Sequence, residues 1–189
     1  MNDEDAPVEL QKNLDLERYQ GLWYTAARIP KFFDRDTPWE TAQYTLKHEY
    51  NDSDGENDGN EKVETYVEVH NTGYYEDGKI KDEIIGSAVV VDPREPAALK
   101  VSFPGYSFFQ SLANIFGGKP EANYLVHRTD YKTYAIVGSY DKQALYLLVR
   151  QRPISREIYN RMLNYVKGLG YDITMLVEDY GAVDELAFE

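Results

Sequence analysis

The ten residues GLWYTAARIP, Gly21 to Pro30, decide how the rest of the chain is read. Trp23, Thr25, Ala27 and Ile29 alternate with Tyr24, Ala26 and Arg28, a period of two that predicts a strand over 21–30. Pro30 ends the run, because a proline has no N–H to give to a ladder. Phe32 and Phe33 then stand where a polar turn is expected. A strand that opens on Gly-x-Trp and closes on exposed aromatics needs an explanation at both ends.

The same period recurs along the chain. Strands are predicted at 21–30, 40–50, 62–71, 79–91, 97–103, 123–130, 133–140 and 143–151, with Gly, Asn, Asp and Pro clusters between them. Short connections make neighbouring strands antiparallel. A meander of eight strands closes most economically into an up-and-down barrel, which leaves no exposed edge and has room for side chains or one small ligand. The expected fold is therefore all-β, with one helix over SREIYNRMLNYVKGLG, residues 155–170. Ser155 is its N-cap, and Gly170 supplies the left-handed C-terminal residue. Ile158, Met162, Val166 and Leu169 form an apolar stripe that packs outside the barrel. Tyr171 to Val177 is expected to add a short ninth strand. The domain is set at 14–177, between a flexible acidic N-terminus (1–13) and a mobile acidic tail (178–189).

The bulk numbers narrow the function classes. A chain of 189 residues with 42% hydrophobic residues holds one domain with a sizeable core. The net charge of −13 argues against nucleic acid and against general attraction to anionic membranes. Without cysteine the sequence has no disulfide, thiolate site or cysteine nucleophile. It shows no signal-peptide pattern, lipidation cysteine or apolar run of membrane-spanning length. The expectation is a cytoplasmic protein or a processed secreted form, peripheral to a membrane if it meets one, and a monomer or weak dimer.

Three separated segments carry a family resemblance. LDLERYQGLWY contains Gly21-x-Trp23 after a short 3₁₀ turn, TDYKTYAIV places Thr129, Asp130 and Tyr131 at the turn between strands six and seven, and LYLLVRQRP ends strand eight on Arg150. In this order and followed by a helix, they resemble the lipocalins, over about residues 14–177. The details are most similar to bacterial outer-membrane lipocalins, plant temperature-induced lipocalins and apolipoprotein D. The resemblance implies that Trp23 plugs the closed end, that Gly21 lets the chain turn into that floor, and that Arg150 stacks across it. It also implies carriage of a fatty acid or lysophospholipid without a cofactor or catalysis; the alternatives are an enzyme acting on a lipophilic guest and a protein-interaction module that uses the aromatic mouth. Relatives that are enzymes use a cysteine or carboxylates inside the barrel. This chain has no cysteine, and alternation places no Asp or Glu inward.

Alternation in register with Trp23 predicts the ligand-binding set. It comprises Thr25, Ala27, Ile29, Ala42, Tyr44, Leu46, Val67, Val69, Asn71, Ala88, Val90, Leu99, Val101, Phe103, Tyr124, Val126, Arg128, Ala135, Val137, Tyr146 and Leu148. A mostly apolar wall with a few hydroxyls suits a hydrophobic guest with one polar end. Two roles are open to Arg128: pairing an anionic head group, or a salt bridge near the floor.

Because the Thr129-Asp130-Tyr131 turn lies at the closed end in this family, the loops after strands one, three, five and seven share the mouth. They carry Phe32, Phe33, Trp39, Tyr106, Phe108, Phe109, Leu112, Ile115 and Phe116. Such a collection on loops is a lid, a membrane wedge or a packed satellite core. The three histidines, His48, His70 and His127, are expected outward on the surface. No metal-binding motif appears, and the acidic stretch 52–59 lacks EF-hand spacing.

Overall fold

The computed structural model describes residues 8–30, 36–51, 62–103 and 122–184. One helical turn, α1 (Leu16–Tyr19), leads into eight strands. They are β1 (Gly21–Arg28), β2 (Trp39–Asn51), β3 (Lys62–Tyr74), β4 (Ile80–Val90), β5 (Ala98–Ser102), β6 (Tyr124–Thr129), β7 (Tyr134–Gly138) and β8 (Leu145–Val149). Helix α2 (Arg156–Gly168) and a two-residue strand, β9 (Val177–Glu178), follow. Each strand pairs antiparallel with the next, and β1 pairs with both β8 and β2, so the sheet closes into a barrel.

Closure is uneven, and this positions the site. β2 and β3 run in unbroken register from Trp39 opposite Tyr74 to Asn51 opposite Lys62. β1 meets β2 only from Gly21 to Tyr24 and then pairs with β9 at Ala27 and Arg28. β5 and β6 pair only at Ala98 and Leu99. Beyond that point the Asn123 side chain substitutes for a strand: its Nδ2 donates to Val101 O at 3.0 Å and its Oδ1 accepts from Val101 N at 2.7 Å. Those bonds satisfy backbone groups that a missing ladder would leave bare.

Two apolar layers result. Inside the barrel, Trp23, Ala42, Tyr44, Val67, Val69, Ala88, Leu99, Val126, Ala135, Val137 and Leu148 pack with Leu14 and Tyr19. Outside it, Ile136, Leu147 and Val149 pack under Tyr159, Met162 and Val166 of α2. β7 and β8 are therefore buried on both faces, which is why AIV and LYLLV read as continuous apolar runs. Ser155 caps α2 by accepting from Ile158 N, and Gly170 takes φ +82° where the chain leaves the helix.

Three expectations are corrected. First, Tyr171 to Val177 does not form a strand: Asp172 caps a 3₁₀ turn at Ile173–Met175, and only Val177–Glu178 pairs with β1. Second, the segment from Glu178 to Asp184 is docked, not mobile. Asp179, Ala182 and Val183 are buried, Val183 bridges to Ile154, and Asp184 N donates to Ile154 O. Third, residues 8–13 are not a free arm, since Leu10 packs on the core and Gln11 N donates to Val126 O at 2.9 Å.

Asp179 fills the wedge where β1 leaves β2. Its carboxylate contacts the buried Arg28 guanidinium and accepts from Glu40 N at 2.9 Å. Arg28 Nη2 also donates to Thr37 O at 2.7 Å. Burial pushes the Asp179 carboxyl above the usual carboxylate range, the Arg28 guanidinium beside it pulls it back down, and the Glu40 charge pushes it up again. Removing one member of a buried pair leaves an uncompensated charge, so Asp179→Ala is expected to cost about 3 kcal/mol. Urea unfolding measures it, and an unchanged midpoint contradicts the docked tail.

Candidate functional site

The floor of the barrel is built around one cation. The Arg150 guanidinium lies 3.6 Å from the centre of the Trp23 ring. It also reaches five carbonyls: Nε donates to Tyr131 O, Nη1 donates to Leu22 O, and the two N–H groups of Nη2 are shared among Arg18, Tyr19 and Gln20 O. The last three are carbonyls left open at the end of α1. Trp23 Nε1 donates to Tyr19 O at 2.9 Å, so the indole is fixed on both faces of its role, apolar and polar. Gly21 has φ +101°, and a Cβ there would stand 3.0 Å from Arg150 Nη1. Both facts favour glycine at this position.

The turn between β6 and β7 completes the floor. Asp130 Oδ1 accepts from the backbone N–H groups of Lys132, Thr133 and Tyr134. Thr129 Oγ1 donates to Tyr134 O and accepts from Tyr131 N. Tyr131 thereby takes φ +67°, offers its carbonyl to Arg150, and receives the Arg18 guanidinium 4.2 Å above its ring. Each signature residue thus holds the closed end.

Above the floor, three tyrosines cross the lumen. Tyr19 and Tyr124 hydroxyls lie 2.7 Å apart, and Tyr124 Oη donates to Tyr44 Oη at 2.9 Å. Tyr44 is on β2 and Tyr124 on β6, four places apart in the ring of eight strands and so on opposite walls. Tyr19 stacks on Tyr44 with ring centres 5.5 Å apart. Burial raises all three hydroxyl pKa values above the ordinary tyrosine range, so the hydroxyls stay neutral donors and acceptors.

Most of the residues assigned to the cavity from alternation face the lumen. Tyr44, Val67, Val69, Ala88, Val126, Val137 and Leu148 are buried there, while Leu46, Val90, Val101, Phe103, Tyr124 and Tyr146 are only partly buried. Asn71 stands opposite Ala42 and is partly buried. Thr25 Oγ1 donates to Glu40 Oε1 at 3.3 Å.

Four assignments fail, three of them at bulges. The β1–β8 register shifts between Thr25 and Ala27, which turns Ala27 and Ile29 into the layer beneath α2. The β6–β7 register shifts between Val126 and Arg128. Arg128 is therefore exposed outside the barrel, with its guanidinium 5.0 Å from the Tyr165 ring of α2, and is not a cavity cation. An extra residue in one strand reverses every later in-out assignment on it. The fourth concerns charge: Glu40 shares the inward face of β2 with Ala42 and Tyr44, so the lumen does hold a carboxylate.

His127 was expected on the surface and is buried. Its ring nitrogens lie 2.7 Å from Glu9 O and 2.8 Å from Tyr171 Oη. Burial lowers its pKa, which fits a neutral ring. His48 and His70 are on exposed strand faces, beside Thr65 and Glu83. Among the described residues, no three His, Asp or Glu side chains are grouped to hold a metal ion.

At the mouth rim, Trp39 stacks on Tyr74 at 3.9 Å, receives Arg152 4.2 Å from its ring and donates to Tyr75 O. Phe32, Phe33, Tyr106, Phe108, Phe109, Leu112, Ile115 and Phe116 lie outside the described residues. A second hollow of about 340 Å³, not anticipated from sequence, runs outside the barrel between β6, β7 and α2; Arg128, Tyr134, Arg161 and Tyr165 line it.

Comparison with known proteins agrees with this architecture. The lipocalin-like domain family matches residues 14–179. An outer membrane lipoprotein Blc of Escherichia coli K12 is 30% identical over 170 residues, covering 90% of this chain and 81% of that protein. Apolipoprotein D of Bos taurus is 32% identical over 130 residues, 69% of this chain and 53% of that protein. Lobster apocrustacyanin A1 superposes with a TM-score of 0.55 at 16% identity, covering 87% of this chain and 78% of that one. Insecticyanin of the tobacco hornworm gives 0.54 at 16% identity, over 92% and 84%. The chain belongs to the lipocalin family, whose members bind small hydrophobic ligands.

The floor makes a stability prediction. Trp23→Ala is expected to cost about 3–5 kcal/mol as a buried aromatic truncation. Arg150→Met, which keeps the aliphatic stem, is expected to cost about 2 kcal/mol through its hydrogen bonds. Because the two groups touch, the double variant loses less than the sum. Additive losses in urea unfolding contradict a coupled floor.

Proposed function

We propose that this lipocalin binds and carries a small hydrophobic guest in its barrel, without transforming it. The observation that carries this reading is the lumen wall. Val101, Phe103 and Tyr146 stand on the apolar inner wall and are only partly buried there, which suits contact with a hydrophobic guest. The inward carboxylate supports carriage over chemistry: Glu40 is tied to Thr25 and neighbours the Arg28–Asp179 pair. Those carboxylates lock the wedge between β1 and β2, and neither is presented alone to the lumen.

A fatty acid or lysophospholipid is the proposed guest, with its chain inside and its head at the mouth. Removal of Arg128 from the lumen supports that orientation, because an anionic head needs water or a cation. The apolar residues in the sequence between β5 and β6 support loading at a membrane surface. Similarity to outer membrane lipoproteins favours the same setting, and among the described residues no helix is long and apolar enough to span a membrane.

A fluorescent long-chain fatty acid tests the proposal. It is expected to bind with one-to-one stoichiometry and a blue shift, to be displaced by lysophospholipid, and to be recovered unchanged. Phe103→Glu, which sets a charge in the lumen, is expected to weaken it by at least about tenfold, or ~1.4 kcal/mol. No binding by the folded protein contradicts carriage, and recovery of a modified lipid points to an enzyme.

A further inference from the structure

The tyrosine crossbar carries a hydrogen-bonding remainder. Three hydroxyls bring three protons, and the two bonds among them use two. With Tyr124 donating to Tyr44, Tyr19 supplies the proton of the other bond, and the proton of Tyr44 is left over. Among the described residues no acceptor takes it. Tyr44 is only 5% exposed, so bulk water does not serve it either. A buried donor without an acceptor costs about 1–3 kcal/mol.

The space beside the crossbar is small and apolar. A gap of about 10 Å³ is lined by the three tyrosines with Val67, Val69 and Leu99. That holds about one oxygen atom or one water. It does not hold a solvated carboxylate or phosphate. The charge balance excludes the same groups: the Arg150 guanidinium lies against Trp23 with its N–H groups on five carbonyls, and Arg128 is outside the barrel. An ion brought to this depth would go unpaired.

We infer that Tyr19, Tyr44 and Tyr124 form a polar end-stop that receives the neutral acceptor oxygen of a guest bound oxygen-first. The chemical class is a long apolar chain ending in a ketone, aldehyde or alcohol. Such a guest lies in the opposite sense to a fatty acid, whose head stays at the mouth. The inference rests on the carriage reading and adds a second class of guest to it. The crossbar spans opposite walls, so it fixes the depth that any chain reaches.

Two ketones of about twelve carbons test it, a methyl ketone and its mid-chain isomer. They share composition and nearly share hydrophobicity, so only the place of the oxygen differs. Carbonyl-labelled samples titrated by NMR give both affinities and report hydrogen bonding at the carbonyl. The methyl ketone is expected to bind about tenfold more tightly, the fold-change that one well-placed hydrogen bond supplies. Its bound carbonyl resonance is expected downfield of that of the bound mid-chain isomer, whose oxygen meets no donor.

Replacing all three residues, Tyr19→Phe, Tyr44→Phe and Tyr124→Phe, removes every partner together and keeps the rings. That substitution is compatible with folding, because no buried group is left unpaired. It is expected to erase both the preference and the shift. Equal affinities in the unaltered protein, a preference that survives the triple replacement, or no ketone binding overturns the inference. If the triple variant does not fold, the isomer preference and carbonyl shift in the unaltered protein decide alone. A fluorescent fatty acid that binds where ketones do not overturns the end-stop only; failure of both guests overturns carriage as well.

Discussion

Everything above the barrel floor depends on the stacking of Arg150 on Trp23. The ring centre is 3.6 Å away, and the guanidinium reaches carbonyls from α1, β1 and the β6–β7 turn. The β6–β7 turn is far in sequence from α1 and β1 and has no ladder in common with either. One planar cation with five donors satisfies them from a single point. The cation–π contact adds about 0.5–2 kcal/mol. Its larger effect is geometric: it fixes where the first strand starts and where the meander's eighth strand must end.

With that end fixed, the interior follows. Trp23 occupies the axis, and Tyr19, held by its carbonyl, stacks on Tyr44 from above. Tyr124 reaches across from the opposite wall. The lumen is thus closed by aromatic layers at one end and lined by small and branched residues above. The far end is less regular. β1 leaves β2, and Asp179 enters the wedge against Arg28. The same chain therefore has a floor tied together by Arg150 and a mouth completed in part by its C-terminal segment.

The strand meander and the helix were legible because alternation and capping are local signals. The roles of Trp23, Arg150 and the Thr129-Asp130-Tyr131 turn were legible through the resemblance to the lipocalins, not through strand period. The failures have equally definite causes. Nothing in TAAR or VHRT marks a bulge, and each one reversed the residues after it, moving Ala27, Ile29 and Arg128 out of the lumen. His127 is hidden by the returning N-terminal segment and by Tyr171, two contacts that no local pattern contains. The acidic composition after Glu178 suggested solvent, although AV at 182–183 was the apolar signal that it packs. Tyr19, on the turn before the first strand, was not assigned to the lumen at all. Its tie to Tyr44 and Tyr124 depends on the floor geometry and not on strand period.

The most direct test of carriage is native mass spectrometry of the purified protein, followed by denaturing lipid extraction. A single added mass that extracts as an intact lipid, or an empty barrel that takes up one molecule of added fatty acid, is the expected result. A folded protein that is empty and refuses every apolar guest contradicts it.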